Sequence, residues 1–176
     1  IGYRNMNSDF FFFVPEGNSF EKIENGKKVK HIMACWYTNL PTTKQEEELV
    51  LYKKYTPEEY PKYDNYDAID VSKVTDIPQD YDGVIGVPIT FLDKYNPEQF
   101  EIVALGNSRD NFTPNKEYQN PKKHTKNGKI VNGGAINCVL TLSQKEKPIG
   151  SVFYTSDNSD FLIPPYARIL IKKKNR

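Results

Sequence analysis

A run of basic side chains is the part of the sequence best suited to bind an anion. Lys122, Lys123, Lys126 and Lys129 fall close together, and His124 lies between them. Lysine ammonium groups contact nucleic-acid phosphates through charge and hydrogen bonds, and an imidazole can add a further donor. The sequence therefore predicts DNA contacts at these five residues, and the alternative is a solvated surface loop.

The tripeptide Pro164-Pro165-Tyr166 is a second stretch whose residue types suggest chemistry. DNA amino-methyltransferases hold their target with a tetrapeptide in which Asn or Asp precedes Pro-Pro and an aromatic residue. The Asn or Asp and a proline carbonyl accept the two N–H bonds of the target amine, and the ring stacks on the flipped base. Here Ile163 holds the first position, and its side chain accepts no hydrogen bond. We interpret the segment as a lookalike, a proline-stiffened entry into the last strand.

Other catalytic, cofactor and metal motifs are missing from the sequence. A site for a nucleotide or S-adenosylmethionine on a doubly wound sheet needs a glycine-rich turn, and the chain has no Gly-x-Gly. His31 lies in a predicted strand, where we expect a structural role. Cys35 and Cys138 are too far apart for a metal motif, and we expect buried free thiols in a cytoplasmic protein.

Charge is distributed unevenly along the 176 residues, although the net charge is only +1. From Lys44 to Asp82, eleven acidic residues outnumber five lysines, which gives −6. From Arg109 to Arg176, thirteen Lys and Arg outnumber five acidic residues, which gives +8. The second segment is thus suited to a polyanion and the first is not, unless the asymmetry reflects only a solvated surface.

Composition predicts a globular domain with its own core, since 38% of the residues are hydrophobic and 27% charged. No apolar run approaches the roughly 18 residues that span a membrane. The longest run, Phe10 to Val14, has the length of a strand. The first residue is Ile1, and we expect a piece of a longer protein.

Short apolar runs between turn residues predict a mostly β chain. The aromatic run at 10–14 indicates a strand buried on both faces, and Asn25-Gly26 indicates a hairpin. A helical turn is predicted at 90–95. The other predicted strands are 29–37, 49–52, 83–89, 100–105, 136–142, 151–154 and 167–172.

Two long loops are predicted as well. The segment from Tyr55 to Tyr66 is broken by proline, and we expect its tyrosines to pack it against the domain. The segment from Asn107 to Gly128 has almost no apolar periodicity, which predicts a long surface loop. Trp36 could stack on a base, but it falls on the apolar face of its strand, which favours the core.

Six stretches of the sequence, in order, resemble the EcoRI-like adenine-specific DNA methyltransferases. The most specific is Gly86-Val87-Pro88-Ile89-Thr90-Phe91-Leu92 with the following Asn96-Pro97-Glu98-Gln99-Phe100. The resemblance covers the chain nearly end to end and concerns the C-terminal half of the family. The stretches are 12–15, 36–40, 63–71, 82–92, 96–102 and 166–171.

The resemblance implies a parent enzyme of bacterial restriction-modification that uses S-adenosylmethionine to methylate adenine N6 in duplex DNA. The family's catalytic and cofactor motifs lie upstream of the segment that corresponds to Ile1, so we expect none of them here. We expect the chain alone to be inactive and to bind no cofactor and no metal. Its expected partners are double-stranded DNA and the N-terminal catalytic half, without a membrane, and Arg168 is a further candidate for DNA contact.

The fold implied is a β-rich α+β portion that completes an α/β methyltransferase sheet and adds a target-recognition region. Residues 1–106 would supply sheet-completing strands and the tyrosine-rich loop, and residues 107–176 the basic loop and terminal strands. The competing hypothesis is a β-rich protein-interaction module without enzymatic activity, which uses the acidic segment or the tyrosine-rich loop.

Overall fold

The computed structural model describes residues 2–5, 11–31, 35–38, 43–106, 112–157 and 159–174. Within these ranges the chain is rich in β-strands, as predicted, and its α-helix is the single turn Thr43–Glu46. Short 3₁₀ helices cover Val74–Asp76, Ile89–Lys94 and Gly134–Cys138. The second of these confirms the helical turn expected at 90–95.

The strands within the described ranges form sheets of two, three, four and five members. In chain order they are β1 (Gly2–Asn5), β2 (Phe11–Phe13), β3 (Lys22–Glu24), β4 (Lys27–His31), β5 (Cys35–Thr38), β6 (Ala68–Asp70), β7 (Val84–Pro88), β8 (Phe100–Leu105), β9 (Lys122–His124), β10 (Ile130–Asn132), β11 (Leu142–Gln144), β12 (Phe153–Thr155), β13 (Phe161–Ile163) and β14 (Arg168–Lys173). β1 and β5 form an antiparallel pair.

β2, β4 and β3 form a small antiparallel sheet in that spatial order. Asn25 and Gly26 have φ of 49° and 75°, so the predicted hairpin is confirmed by the turn geometry that Asn-Gly favours. His31 packs edge-on against Phe11, with 6.1 Å between ring centroids. Burial of the aromatic run on both faces was a wrong expectation, because β2 is an edge strand and Phe13 is 68% exposed.

A four-stranded mixed sheet forms the centre of the molecule, in the order β6-β7-β14-β8. β6 and β7 run parallel, and β14 is antiparallel to both of its neighbours, β7 and β8. Ile169, Leu170 and Ile171 of β14 are all buried, as expected of a strand covered on both faces. Strand β14 therefore completes a sheet whose other members come from residues 68–105.

The tyrosine-rich segment closes over this sheet, as predicted. Tyr60 packs with Ile69, Phe91 and Phe100 in the largest apolar cluster. Tyr63 belongs to a second cluster on Leu170, and its ring lies against the backbone of β7. The position facing it must be a glycine, Gly86, because a Cβ there would overlap the Tyr63 hydroxyl.

The five-stranded sheet has the order β10-β9-β12-β13-β11. It corrects two predictions: β9 lies within the segment expected to be an unstructured loop, and the strand expected at 136–142 begins instead as a 3₁₀ helix. Residues 107–111 of that loop lie outside the described part. The buried Asn65 joins the tyrosine-rich segment to the residues just before β11, since its side chain donates to the Val139 carbonyl at 2.8 Å and accepts from the Thr141 amide at 2.9 Å.

Two smaller expectations were wrong. Residues 49–52 form no strand, and Leu49 instead exchanges two hydrogen bonds with the side chain of Gln99. Cys138 is an exposed thiol, because it ends the 3₁₀ helix at the surface. The side chains of Cys35 and Trp36 lie outside the described part of the structure.

Candidate nucleic-acid interface

The predicted basic cluster forms a β-hairpin. β9 and β10 pair antiparallel through Lys122–Asn132, Lys123–Val131 and His124–Ile130, and the turn between them is Thr125–Lys129. The Thr125 amide donates to the Lys129 carbonyl, and the Lys129 amide donates to the Thr125 hydroxyl at 3.1 Å. Gly128 has φ of 75°, which suits glycine. The turn therefore has a defined shape and displays Lys126 and Lys129 at its tip.

The strand alternation divides the basic residues between two faces. Cross-strand partners share a face, and successive residues along a strand point to opposite faces. Lys122 and His124 lie on the outer face of the sheet, whereas Lys123 lies on the inner face with Tyr154, whose ring centroid is 5.9 Å from its ammonium group. Lys122, Lys126 and Lys129 are exposed, and Lys123 is half-buried. Three of the four lysines are therefore exposed cations of the same hairpin.

His124 is held in place by its neighbours. Its ring stacks on Phe153 with 4.4 Å between centroids and an interplanar angle of 6°. Its Nε2 lies 2.9 Å from the hydroxyl oxygen of Thr155. The ring is thus fixed beside the lysines, and it is only half-buried.

A cleft of about 750 Å³ opens between the hairpin turn and the loop that joins β11 to β12. One side carries Lys126, and the other carries Lys147. The ammonium group of Lys147 lies 5.8 Å from the centroid of Phe153, which holds the loop over the outer face. Sequence reasoning missed this second side, although Lys147-Pro148-Ile149-Gly150 contains a turn signal and an isoleucine in a polar setting.

Arg168 occupies a different environment from the lysines. Its Nε donates to Asp70 Oδ1 at 2.8 Å, and a second guanidinium nitrogen lies 3.4 Å from Asp70 Oδ2. Tyr63 donates its hydroxyl to the same Oδ1 at 2.5 Å. All three side chains are buried. This buried position, at the first residue of β14 in the central sheet, argues against a direct phosphate contact by Arg168.

Burial and charge act in opposite directions on this network. Burial disfavours the charged form of Arg168, but the hydrogen bond and charge of Asp70 outweigh it, and the pKa of the guanidinium is raised. Burial, followed by the negative charge of Asp70, raises the pKa of Tyr63 well above its usual range. The network therefore consists of a charged pair with a neutral phenol donor, which gives it a structural role.

The Pro-Pro-Tyr segment connects β13 to β14, which confirms its interpretation as the entry into the last strand. Tyr166 is 92% exposed, and its carbonyl accepts a 3.4 Å hydrogen bond from Arg168. Within the described residues no group of three or more His, Cys, Asp or Glu side chains has the geometry to hold a metal ion. No helix in the same part of the chain is long and apolar enough to cross a membrane.

The chain matches a family of methyltransferases, and this match gives its class. The family is described as adenine-specific methyltransferase EcoRI, and the match spans residues 2–174, so the chain belongs to this family. This confirms the resemblance seen in the sequence. No solved structure matches the chain.

Three curated relatives are type II methyltransferases. M.EcoRI of Escherichia coli is 50% identical over 102 residues, which are 53% of this chain and 31% of the relative. M.MgeORF184P of Mycoplasma genitalium is 42% identical over 101 residues, 56% of this chain and 32% of its own length. M.MpnI of Mycoplasma pneumoniae is 41% identical over 100 residues, which are 56% of this chain and 31% of the relative. The matched segment thus spans about a third of each relative.

Proposed function

We propose that the chain is the DNA-recognition portion of an adenine-N6-specific DNA methyltransferase. The observation that carries the proposal is the β9–β10 hairpin, which displays Lys126 and Lys129 at its tip and Lys122 on its outer face. Membership of an adenine-specific methyltransferase family supports the choice of duplex DNA as the polyanion. The parent enzyme uses S-adenosylmethionine as methyl donor, and this chain supplies the grip on DNA.

The shape of the hairpin suits a duplex. β9 also pairs with β12 along its whole length, so the part of the hairpin that extends beyond the sheet is its turn, and a two-stranded turn fits the major groove, where a protein can approach base edges. Lysines at the turn would then lie against the flanking phosphates, which fix the register without reading sequence. Lys123 and His124 are secondary contacts in this scheme because one lies on the inner face and the other is stacked on Phe153.

The division of labour follows from the extent of the matches. The relatives are about three times as long as the segment that matches this chain. We assign the catalytic tetrapeptide and the cofactor loop to their remaining parts. The parallel pair β6–β7 supports a role as sheet-completing strands of an α/β methyltransferase sheet.

The test is a variant in which Lys122, Lys126 and Lys129 are replaced by alanine. Affinity for labelled duplexes of about 20–30 base pairs should fall to a similar extent for all sequences. The slope of log affinity against log salt should flatten by about 0.9 for each phosphate that no longer meets a lysine. Fluorescence anisotropy over a salt series measures both quantities.

Two controls sharpen this test. Lys54, Lys62 and Lys73 are exposed lysines of the acidic segment, and replacing all three by alanine should leave the salt slope unchanged. Replacing the inner-face Lys123 alone should also have little effect on the slope. If the hairpin variant and the variant of Lys54, Lys62 and Lys73 lost DNA affinity equally, the proposal would be contradicted, because binding would then depend on overall charge.

A further inference from the structure

The loop between β11 and β12 carries an exposed apolar tip. Ile149 is 97% exposed, Pro148 precedes it, and Gly150 follows with φ of 69°. Single exposed apolar residues are common on protein surfaces and need no explanation by themselves. The surroundings of Ile149 therefore decide whether the tip has a function.

The tip belongs to an apolar strip along the cleft. Ile149 and Pro148 line one side, and Ile130, at the start of β10, lines the other and is 60% exposed. Phe153 and His124, stacked on each other, contribute to the lining between them. Two exposed isoleucines thus face the same open space, above a rigid aromatic pair.

Cations border this strip. Lys126 and Lys147 line the same cleft from opposite sides. An apolar strip between lysines matches a partner that combines flat apolar surfaces with a regular array of negative charges. Nucleic acid has both features, in its bases and its phosphates. The aliphatic tip also lacks the ring that stacking on a single extruded base would favour, so insertion between stacked bases fits it better.

We propose that Pro148 and Ile149 form a wedge that enters between adjacent base pairs of duplex DNA, while Lys126 and Lys147 hold phosphates on either side. Isoleucine and proline are among the residues that proteins insert in this way, with partial unstacking and a kink in the duplex. Pro148 fixes its own φ, which reduces the conformational entropy lost when the tip becomes ordered on DNA. The inference rests on the proposed function, because the wedge acts only on DNA that the chain already holds.

The experiment uses the full chain and a set of duplexes in which one 2-aminopurine is moved along one strand. Unstacking raises 2-aminopurine fluorescence, so the wild-type chain should brighten the probe at one or a few positions. Ile149→Ala should lose most of that increase while its affinity, measured by anisotropy, stays within about threefold, because the phosphate contacts remain. Ile149→Phe should retain the increase, since phenylalanine also serves as a wedge.

The matched control is Val50→Ala, which shortens an 83% exposed β-branched side chain in the acidic segment and should leave the signal unchanged. If the wild-type chain binds no duplex, the proposed function fails and the wedge with it. If it binds with a normal salt slope but brightens no probe, or if Ile149→Ala brightens the probe as well as wild type, only the wedge is overturned.

Discussion

Arg168 of the central sheet and Lys126 of the five-stranded sheet are cations in opposite environments. Arg168, in the central sheet, is 9% exposed and is neutralised by Asp70. Lys126, on the hairpin of the five-stranded sheet, is exposed at a turn and adjoins an open cleft. The same sign of charge therefore stabilises the fold at Arg168 and is available to a ligand at Lys126. The environment of a basic residue distinguishes the two roles, whereas its identity does not.

The largest expected loss in free energy of unfolding comes from breaking the buried ion pair of Asp70 and Arg168. Asp70→Ala leaves the Arg168 charge buried without its partner, and removal of one member of such a pair costs about 3–5 kcal/mol. Urea unfolding monitored by circular dichroism measures the loss in free energy of unfolding. A change below about 1 kcal/mol would show that Arg168 turns to water, which would remove the contrast between the two sheets.

The next largest loss in free energy of unfolding is expected from adding a methyl group inside the central sheet. Gly86→Ala adds a methyl group where the Tyr63 ring packs, and overpacking a tight core costs about 1–3 kcal/mol. Gly134→Ala is the matched control in the other region, because its new Cβ would meet only the side-chain oxygen of Asn132, at 3.2 Å. The control should change the free energy of unfolding by no more than about 0.5 kcal/mol. Comparable losses in both variants would contradict the tight packing assigned to β7.

A smaller contribution to the free energy of unfolding is expected from Tyr63, and it depends on pH. The pKa of Tyr63 is raised in the folded protein by burial and by Asp70, so the folded state favours the neutral phenol. This contribution is complete below the ordinary tyrosine pKa of about 10 and is lost as the pH rises above it, where the unfolded chain ionises first. Tyr63→Phe should therefore be less stable than wild type at pH 8, by about 1 kcal/mol.

Thermal unfolding between pH 8 and pH 11 tests this difference. The gap between wild type and Tyr63→Phe should narrow above about pH 10. Tyr118 also has a raised pKa, through burial and its hydrogen bond to Asp64, so Tyr118→Phe should behave in the same way. A constant gap across the range would show that Tyr63 ionises equally in the folded and unfolded states.

The smallest change in free energy of unfolding is expected from substitutions of the hairpin lysines. Lys126→Ala with Lys129→Ala should change the free energy of unfolding by less than about 0.5 kcal/mol, because both side chains are exposed. Urea unfolding under the conditions used for Asp70→Ala allows direct comparison. A loss above about 1 kcal/mol would mean that these lysines stabilise the turn, and the variant would then be unsuitable for the DNA experiments.

Sequence patterns predicted the central sheet better than the five-stranded sheet. β7 and β14 follow from apolar runs that are buried on both faces, and β8 follows from an apolar run at the edge of the sheet, where Ile102 and Val103 stay exposed. β9 has the sequence Lys-Lys-His, and its three residues carry no apolar pattern, so only its pairing with β10 and β12 identifies it as a strand. Residues 49–52 show the reverse case, in which an apolar run forms no strand within the described residues and Leu49 is held by Gln99.

The sequence predicted which lysines belong to the candidate interface but did not predict how they are arranged. The cluster of lysines was found from the sequence, but the separation of Lys123 from Lys122 requires knowledge that the segment is a strand. The pairing of Arg168 with Asp70 joins residues 98 positions apart, which sequence spacing does not reveal. The second side of the cleft, at Lys147 and Ile149, depends on the loop between β11 and β12 reaching the hairpin.

The most direct test of the account is the affinity of the wild-type chain for a labelled duplex of about 20–30 base pairs, from about 50 to 200 mM salt. Four phosphate contacts at Lys122, Lys126, Lys129 and Lys147 predict a loss of about a hundredfold over that range. An affinity that does not depend on salt, or no binding at the lowest salt, would contradict the account. Binding without salt dependence would show that the lysines hold no phosphates, and no binding would favour the protein-interaction module instead.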